Sequence, residues 1–495
     1  MKNATIRLTM IGILAMGVFS GCKMNKKEKM TEIPATTQSK EALASFRQGI
    51  TLMDQGDAQK ARTFFMKAIE QDPKMAIAYI LKSGTDFTNK EFADDMGKAK
   101  ANLDGVTDWE KWYYDYTATF LNSDWNKRLQ ITQQIATAFP DAARPQVDLG
   151  FTYSNGKDET KARECFQKAI TLDPKWVGGY NGLVNSYLFN DPKDAKKAEE
   201  NALKVVELAP SSPGAEIALG DCYRAQNNLE KARDAYSKAV ELDPTVPEAY
   251  YKKGHANTFL GNFDEARQNY MDGSKHDETS TNSMQFIAYT YLYAGDYKTA
   301  LNWLLDQASK MNASGDAQAK ATSTKFMCLQ DCAGIAMFTN DAARLKEIVP
   351  MLEPLYEQMG NDLGTPEGKL TQKAQLLGQQ AILATLEGNY ELAKSKAEEE
   401  KTIVGPITDP GKLDGYEFTM GFINLKQKNA PDAISHFEKP KSNSVMSKYY
   451  LAMAYEANGN KAKAISLYKE LSDYNFNGLD YALIRSEVKK KLATM

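Results

Sequence analysis

Histidine is nearly absent from this 495-residue chain: His255, His276 and His436 are the only three. None has a second histidine or a cysteine at the spacing a metal site needs, and no zinc-protease helix occurs. The five cysteines are too few to be a disulfide framework for a chain of this length. Cys165 and Cys222 lie among small packing residues and read as buried. Cys328 and Cys332 share one helix face, where a disulfide is awkward and a metal would still lack ligands. Glycine-rich phosphate loops and nucleophile elbows are missing too. Carboxylate runs such as Glu398-Glu399-Glu400 read as a solvated helix face rather than an acid/base pair. A net charge of −3 offers no basic stripe for nucleic acid. The expectation is a protein without catalytic residues, metal or cofactor.

The first residues read as an export signal. Lys2 and Arg7 precede an apolar stretch from Leu8 to Phe19, too short to span a bilayer comfortably, and no later segment looks transmembrane. The stretch ends Phe19-Ser20-Gly21-Cys22, which resembles the lipobox of bacterial lipoproteins, with Phe19 where leucine is usual. The resemblance implies that residues 1–21 are a signal peptide, that Cys22 is lipidated, and that the chain is held at a membrane through that anchor. Two or more acyl chains suffice for stable anchoring. Lys23 after the cysteine resembles sorting to the outer membrane. An ordinary secretory signal with a chance cysteine is the alternative. Residues 22–41 lack apolar periodicity and read as a flexible tether spanning roughly 20–25 Å.

Self-similarity is the strongest signal. Gly49, Ala61, Phe65, Ala68 and Pro73 are separated by twelve, four, three and five residues, and the series returns at Gly150, Ala162, Phe166, Ala169 and Pro174, then at Gly220, Ala232, Tyr236, Ala239 and Pro244. On a period of thirty-four, Gly254, Ala266, Tyr270 and Gly273 follow, then Ala288, Tyr291, Ala300 and Leu304. This pattern resembles the tetratricopeptide repeat. The resemblance implies an all-α solenoid of helical hairpins wound into a right-handed superhelix with one concave groove. About eight regular repeats fill 42–308. Looser hairpins, about four, fill 309–478, with helical segments at about 317–338 and 341–359 and breaks at Gly360 to Gly368 and Gly405 to Gly415. An amphipathic helix over 479–495 suits a polar cap on the last repeat.

The same resemblance places the first helix of each hairpin on the groove. By register, Phe46, Ile50, Ile80 and Val147 line its N-terminal part, as groove surface or as ordinary packing between neighbouring helices. The next part holds Asn181, Asn185, Asp221, Tyr251, His255, Gln285 and Tyr289. Amides beside aromatics offer paired donors and acceptors and flat contact faces, as an extended peptide or a sugar requires. The leading expectation is a scaffold or adaptor lipoprotein of the bacterial cell envelope that binds a protein or peptide in the groove. A glycan-binding surface lipoprotein beside a nutrient importer is the alternative, disfavoured by the shortness of the insertions between hairpins. A hydrolase hidden in 309–415 is the third reading.

Overall fold

A computed structural model describes residues 34–314, 317–440 and 444–495. The signal peptide, Cys22 and the first part of the tether lie outside these. The tether's end is not free coil: Thr36 donates through its N–H and Oγ1 to Glu110 at 2.9 and 2.6 Å.

Among the described residues there are twenty-five α-helices, twelve hairpins and a last helix, and no strand. The first eight hairpins are α1 (Lys40–Asp54) with α2 (Ala58–Gln71), α3 (Ala76–Ser83) with α4 (Asn89–Ala101), α5 (Asp108–Ala118) with α6 (Trp125–Ala138), and α7 (Ala143–Asn155) with α8 (Glu159–Leu172). They continue as α9 (Val177–Phe189) with α10 (Ala195–Leu208), α11 (Pro213–Ala225) with α12 (Leu229–Leu242), α13 (Pro247–Leu260) with α14 (Phe263–Ser274), and α15 (Thr281–Tyr293) with α16 (Tyr297–Lys310). Four more follow: α17 (Gln318–Phe338) with α18 (Ala342–Leu363), α19 (Pro366–Leu386) with α20 (Tyr390–Ile403), α21 (Asp414–Lys426) with α22 (Ala430–Phe437), and α23 (Val445–Ala457) with α24 (Lys461–Ser472). The last helix is α25 (Leu479–Thr494).

The turn inside a hairpin is written locally. In most hairpins a left-handed residue ends the first helix, and an Asp or Asn then caps the second: Gly56 (φ 84°) precedes Asp57, and Gly295 (φ 82°) precedes Asp296, while α3–α4 and α9–α10 turn without one. The capping carboxylates accept the N–H of Lys60 and Thr299, both at 3.0 Å, satisfying a donor that the helix leaves open.

The spacing of small and aromatic residues has a direct cause. A Cβ on Gly49, Gly150, Gly220 or Gly254 would come within 2.6 Å of the ring of Phe65, Phe166, Tyr236 or Tyr270, so the ring of each second helix lies flat on the bare backbone of its own first helix. Phe166 is pinned from the other side as well, since a Cβ on Gly182 of the next hairpin would meet it at 2.4 Å.

The period blurs after Lys310 because α17, α18 and α19 run 21, 22 and 21 residues, where the regular helices run 8 to 15. The expected break from Gly360 to Gly368 shrinks to Gly364 (φ 68°) and the cap Thr365. Gly360 and Gly368 are helical and serve close approach, a Cβ on Gly360 meeting the Lys369 backbone at 3.1 Å. Cys222, Cys328 and Cys332 are buried and free, whereas Cys165, expected to be buried, is half-exposed.

The chain divides into two compact units within the hairpins of α11 to α13: one holds the residues up to Gln226 with Asp234–Ala249, the other Asn227–Arg233 with Tyr250–Met495. They are called unit 1 and unit 2 below. In unit 1 the α1–α2 turn rests on the starts of later hairpins. Asp54 takes both guanidinium nitrogens of Arg144 (2.9 and 2.5 Å) and Nε1 of Trp176 (3.1 Å), Ser212 Oγ donates to the Gln55 carbonyl (3.0 Å), and Lys60 pairs with Asp243. In unit 2, α25 packs on α15, α17, α23 and α24, and its Tyr481-Ala482-Leu483-Ile484 run is buried throughout. A helix covering one exposed end would bury a single stripe; this one is enclosed on several sides.

Candidate groove residues

The seven groove candidates fall in both units. In unit 1, α9 carries Asn181 and Asn185 one turn apart on one face. Their neighbours Gly178, Gly179, Gly182, Leu183 and Val184 are buried, and the two amides are half-buried with no hydrogen bond recorded to either. Asp221 on α11 is buried and occupied: its Oδ1 accepts from Arg224 Nη2 at 2.8 Å and from the Tyr236 hydroxyl at 2.6 Å. The apolar positions Phe46, Ile50, Ile80 and Val147 are fully buried core, which is the packing alternative of the sequence reading.

The clamp on the α1–α2 turn is a largely enclosed polar cluster of unit 1. Burial lifts the Asp54 carboxyl to about 6, against the opposing pull of Arg144 and Trp176. Arg144 also stacks its guanidinium 4.3 Å above the Trp176 ring. Asp148, one turn along α7 from Arg144, has its pKa raised strongly by burial, and its Oδ2 has no hydrogen-bond partner. Between the turn and the start of α11 lies a cavity of about 110 Å³, bordered by Leu52, Asp57, Pro213, Ile217 and Val246. It has room for a few waters, not for a peptide.

In unit 2 the four candidates are buried, and each is held by another side chain of the same unit. Tyr251 donates to Asp277 Oδ2 (2.9 Å). His255 Nδ1 lies 3.0 Å from the Tyr270 hydroxyl and 2.9 Å from Asn477 Nδ2, and its ring meets Phe286 edge-on at 4.5 Å. Gln285 Nε2 and the Tyr289 hydroxyl, on one face of α15, both donate to Asp331 Oδ2 at 2.8 Å. Burial lifts Asp331 to about 7, opposed by those two hydrogen bonds. Both tyrosine hydroxyls are pushed well up by burial first and by the adjoining carboxylate second.

Sequence reasoning missed Asp331, the Asp54–Arg144–Trp176 clamp and the tail residues Asn477 and Arg485. For Asp331 a signal existed: it is the one charge between Phe326 and Phe338. For the clamp none did, because its members lie 90 and 122 residues apart. Among the described residues no cluster of histidine, cysteine and carboxylates could hold a metal, and no helix is long and apolar enough to cross a membrane.

Tetratricopeptide repeat models match residues 38–75, 143–175, 247–275 and 447–474, and a further TPR repeat model matches 220–258. The chain therefore carries tetratricopeptide repeats in both units. Among solved structures, a chain of an APC/C hetero-tetramer is 13% identical, with 87% of this chain and 76% of that one covered and a TM-score of 0.38. YrrB, described as a TPR protein with an unusual peptide-binding site, is 19% identical over 40% of this chain and 96% of its own, with a TM-score of 0.27. The pilF protein of Pseudomonas aeruginosa is 15% identical over 42% and 94%, with a TM-score of 0.32. No curated protein matches the chain in sequence.

Proposed function

We propose that this protein is a non-enzymatic scaffold of the bacterial cell envelope, anchored by lipid on Cys22, which holds a protein or peptide partner against the inner face of its repeats. The observation that carries the reading is the pair Asn181 and Asn185. Two amides one helical turn apart, half-buried and with no recorded hydrogen bond, are poised to pair with the backbone of an extended segment. Of the other five candidates, Asp221 belongs to the same unit as the pair, and Tyr251, His255, Gln285 and Tyr289 belong to unit 2. Within their own units, Asp221 bonds to Tyr236, Tyr251 to Asp277, His255 to Tyr270, and Gln285 and Tyr289 to Asp331, which fixes the helices that carry them.

The test is capture from crosslinked envelopes by the full-length protein and by Asn181→Ala/Asn185→Ala, each checked for unchanged melting. Losing two hydrogen bonds of about 1 kcal/mol each should weaken capture of the co-purifying partner by roughly thirtyfold. Full capture by the variant would remove α9 from the binding surface. The anchor is tested separately: Cys22→Ala should move the protein from the membrane pellet to the soluble fraction, and a variant that stays in the pellet ends the lipoprotein reading.

A further inference from the structure

Helix α18 of unit 2 breaks a local rule twice. Pro350 and Pro354 stand in the interior of its 22 residues, one turn apart. Proline is the least favourable residue at such a position, because it has no N–H and its ring crowds the preceding turn. The packed side of the helix gains nothing from either. Leu345, Ile348, Leu352 and Tyr356 fill that side and are buried, while both prolines are exposed on the opposite one.

The prolines leave two backbone acceptors behind. The carbonyls of Lys346 and Pro350 lack the N–H that the fourth residue on supplies in a regular helix, so each keeps its acceptor capacity for another donor. By helical register the same face holds Glu353 and Glu357, one turn apart and exposed, and Met351, 43% exposed, stands at its margin. Among the described residues neither glutamate has an ion pair or a hydrogen bond. The cations at the start of the helix are engaged, Arg344 with Glu347 at 2.6 Å and Lys346 with Glu387 at 2.7 Å.

We propose that this face of α18 is a docking surface for an arginine-bearing helix of a partner protein. The inference rests on the reading of the chain as a binding scaffold and adds a second surface with its own partner chemistry. Every polar group left open here is an acceptor, two carbonyls and two carboxylates, and a donor-only group answers that set. Guanidinium fits it best, because its flat fork of N–H donors can bridge a carbonyl and a carboxylate while its plane lies against a proline ring. The acceptors recur once per turn, so the donors must recur likewise, as arginines at i and i+4 of a second helix do. Glutamates kept for solubility alone would need no prolines beside them, since any other residue at 350 or 354 leaves the helix bonds closed.

The probe is a fluorescent, alanine-rich helical peptide with two arginines one turn apart and a leucine beside them, added to the full chain. It should bind saturably with a Kd below about 1 mM. Pro350→Ala/Pro354→Ala restores both N–H donors, closes the carbonyls and should weaken binding at least about tenfold. That variant should melt no lower than the wild type, because alanine favours the helix, so lost binding is not lost folding. Glu353→Gln/Glu357→Gln should also weaken binding at least about tenfold, and a peptide with lysines for the arginines should bind at least about threefold more weakly. Failure of the arginine peptide to bind the wild type overturns the proposal. Equal binding to the proline variant would reduce the face to an acidic patch, and equal binding of the lysine peptide would remove the arginine; either overturns it. A lower melting temperature in the proline variant would assign the prolines to packing, and self-association that this variant abolishes would give the face to a second copy; both refute it too. None of these measurements involves Asn181, Asn185 or Cys22, so failure here and failure of the α9 surface or of the anchor are told apart.

Discussion

Unit 1 and unit 2 are made of the same hairpin and use their inner faces differently. Unit 1 is tied by polar contacts at its edges, Asp54 to Arg144 and Trp176, Gln55 to Ser212 and Lys60 to Asp243, and the amides of Asn181 and Asn185 are left unspent. Unit 2 is tied through its interior, where α25 and the residues before it reach α13, α15, α17 and α23. A repeat array can thus be stabilised from its edge or from its centre, and only the first choice keeps the centre available to a partner.

The sharpest way to break the comparison is Arg144→Ala. It strands the buried Asp54 carboxylate, and the loss of one partner of such a pair costs about 3–5 kcal/mol. Hydrogen exchange should show that loss in unit 1, with unit 2 unchanged; an equal drop in both would mean that the units do not unfold separately. What the units share is tested by Gly150→Ala in unit 1 and Gly254→Ala in unit 2. Each pushes a methyl group into an aromatic ring, at 2.5 Å from Phe166 and 2.3 Å from Tyr270, and each should cost about 1–3 kcal/mol in urea denaturation.

The interior of unit 2 adds a pH dependence of its own. Burial lifts Asp331 from 3.8 to about 7. Between those values the unfolded chain has shed a proton that the folded chain retains, so stability falls as pH rises through the window, by up to about 1.4 kcal/mol per pH unit. Asp331→Asn can still accept from Gln285 and Tyr289 and should flatten that slope. An unchanged slope would show that Asp331 is not its source. The smallest effect is a gain: Gly97 is an exposed glycine inside α4 with nothing near its missing Cβ, so Gly97→Ala should stabilise unit 1 by about 0.5–1 kcal/mol in the same denaturation assay.

The legible part of the fold was local. The spacing from Gly49 to Pro73 records one ring lying on one backbone, and where it recurs the number and order of hairpins follow; the twelve hairpins and the last helix are what the chain forms. Reading failed where a glycine or proline was taken as a break by composition alone. Gly360 and Gly368, read as a break, lie within α18 and α19 and let helices approach, whereas the helix expected at about 341–359 runs through Pro350 and Pro354 on its exposed side. The register also placed Gln285 and Tyr289 on the right helix, but it could not tell an open face from a covered one. That depends on where residues 474–488 return, and an amphipathic pattern at a chain end states that a helix has an apolar stripe without stating what the stripe meets. Asn181 and Asn185 were picked by repeat register alone, and the structure adds that both are half-buried on one face of α9.

The glycine beneath each ring also constrains how the sequence can drift. Positions sixteen apart trade volume: Gly49, Gly150, Gly220, Gly254 and Gly421 stand with Phe65, Phe166, Tyr236, Tyr270 and Phe437, while Ala288 and Ala336 stand with Leu304 and Leu352, and Ser186 with Ala202. Ala452 with Tyr468 departs from the trade. Neither member of a pair is free to change alone, since a methyl group gained on one side is tolerated only after bulk is lost on the other. Gly254→Ala should therefore be rescued by Tyr270→Leu although each single change is harmful, and mutational paths through these repeats run in coupled steps whose order matters.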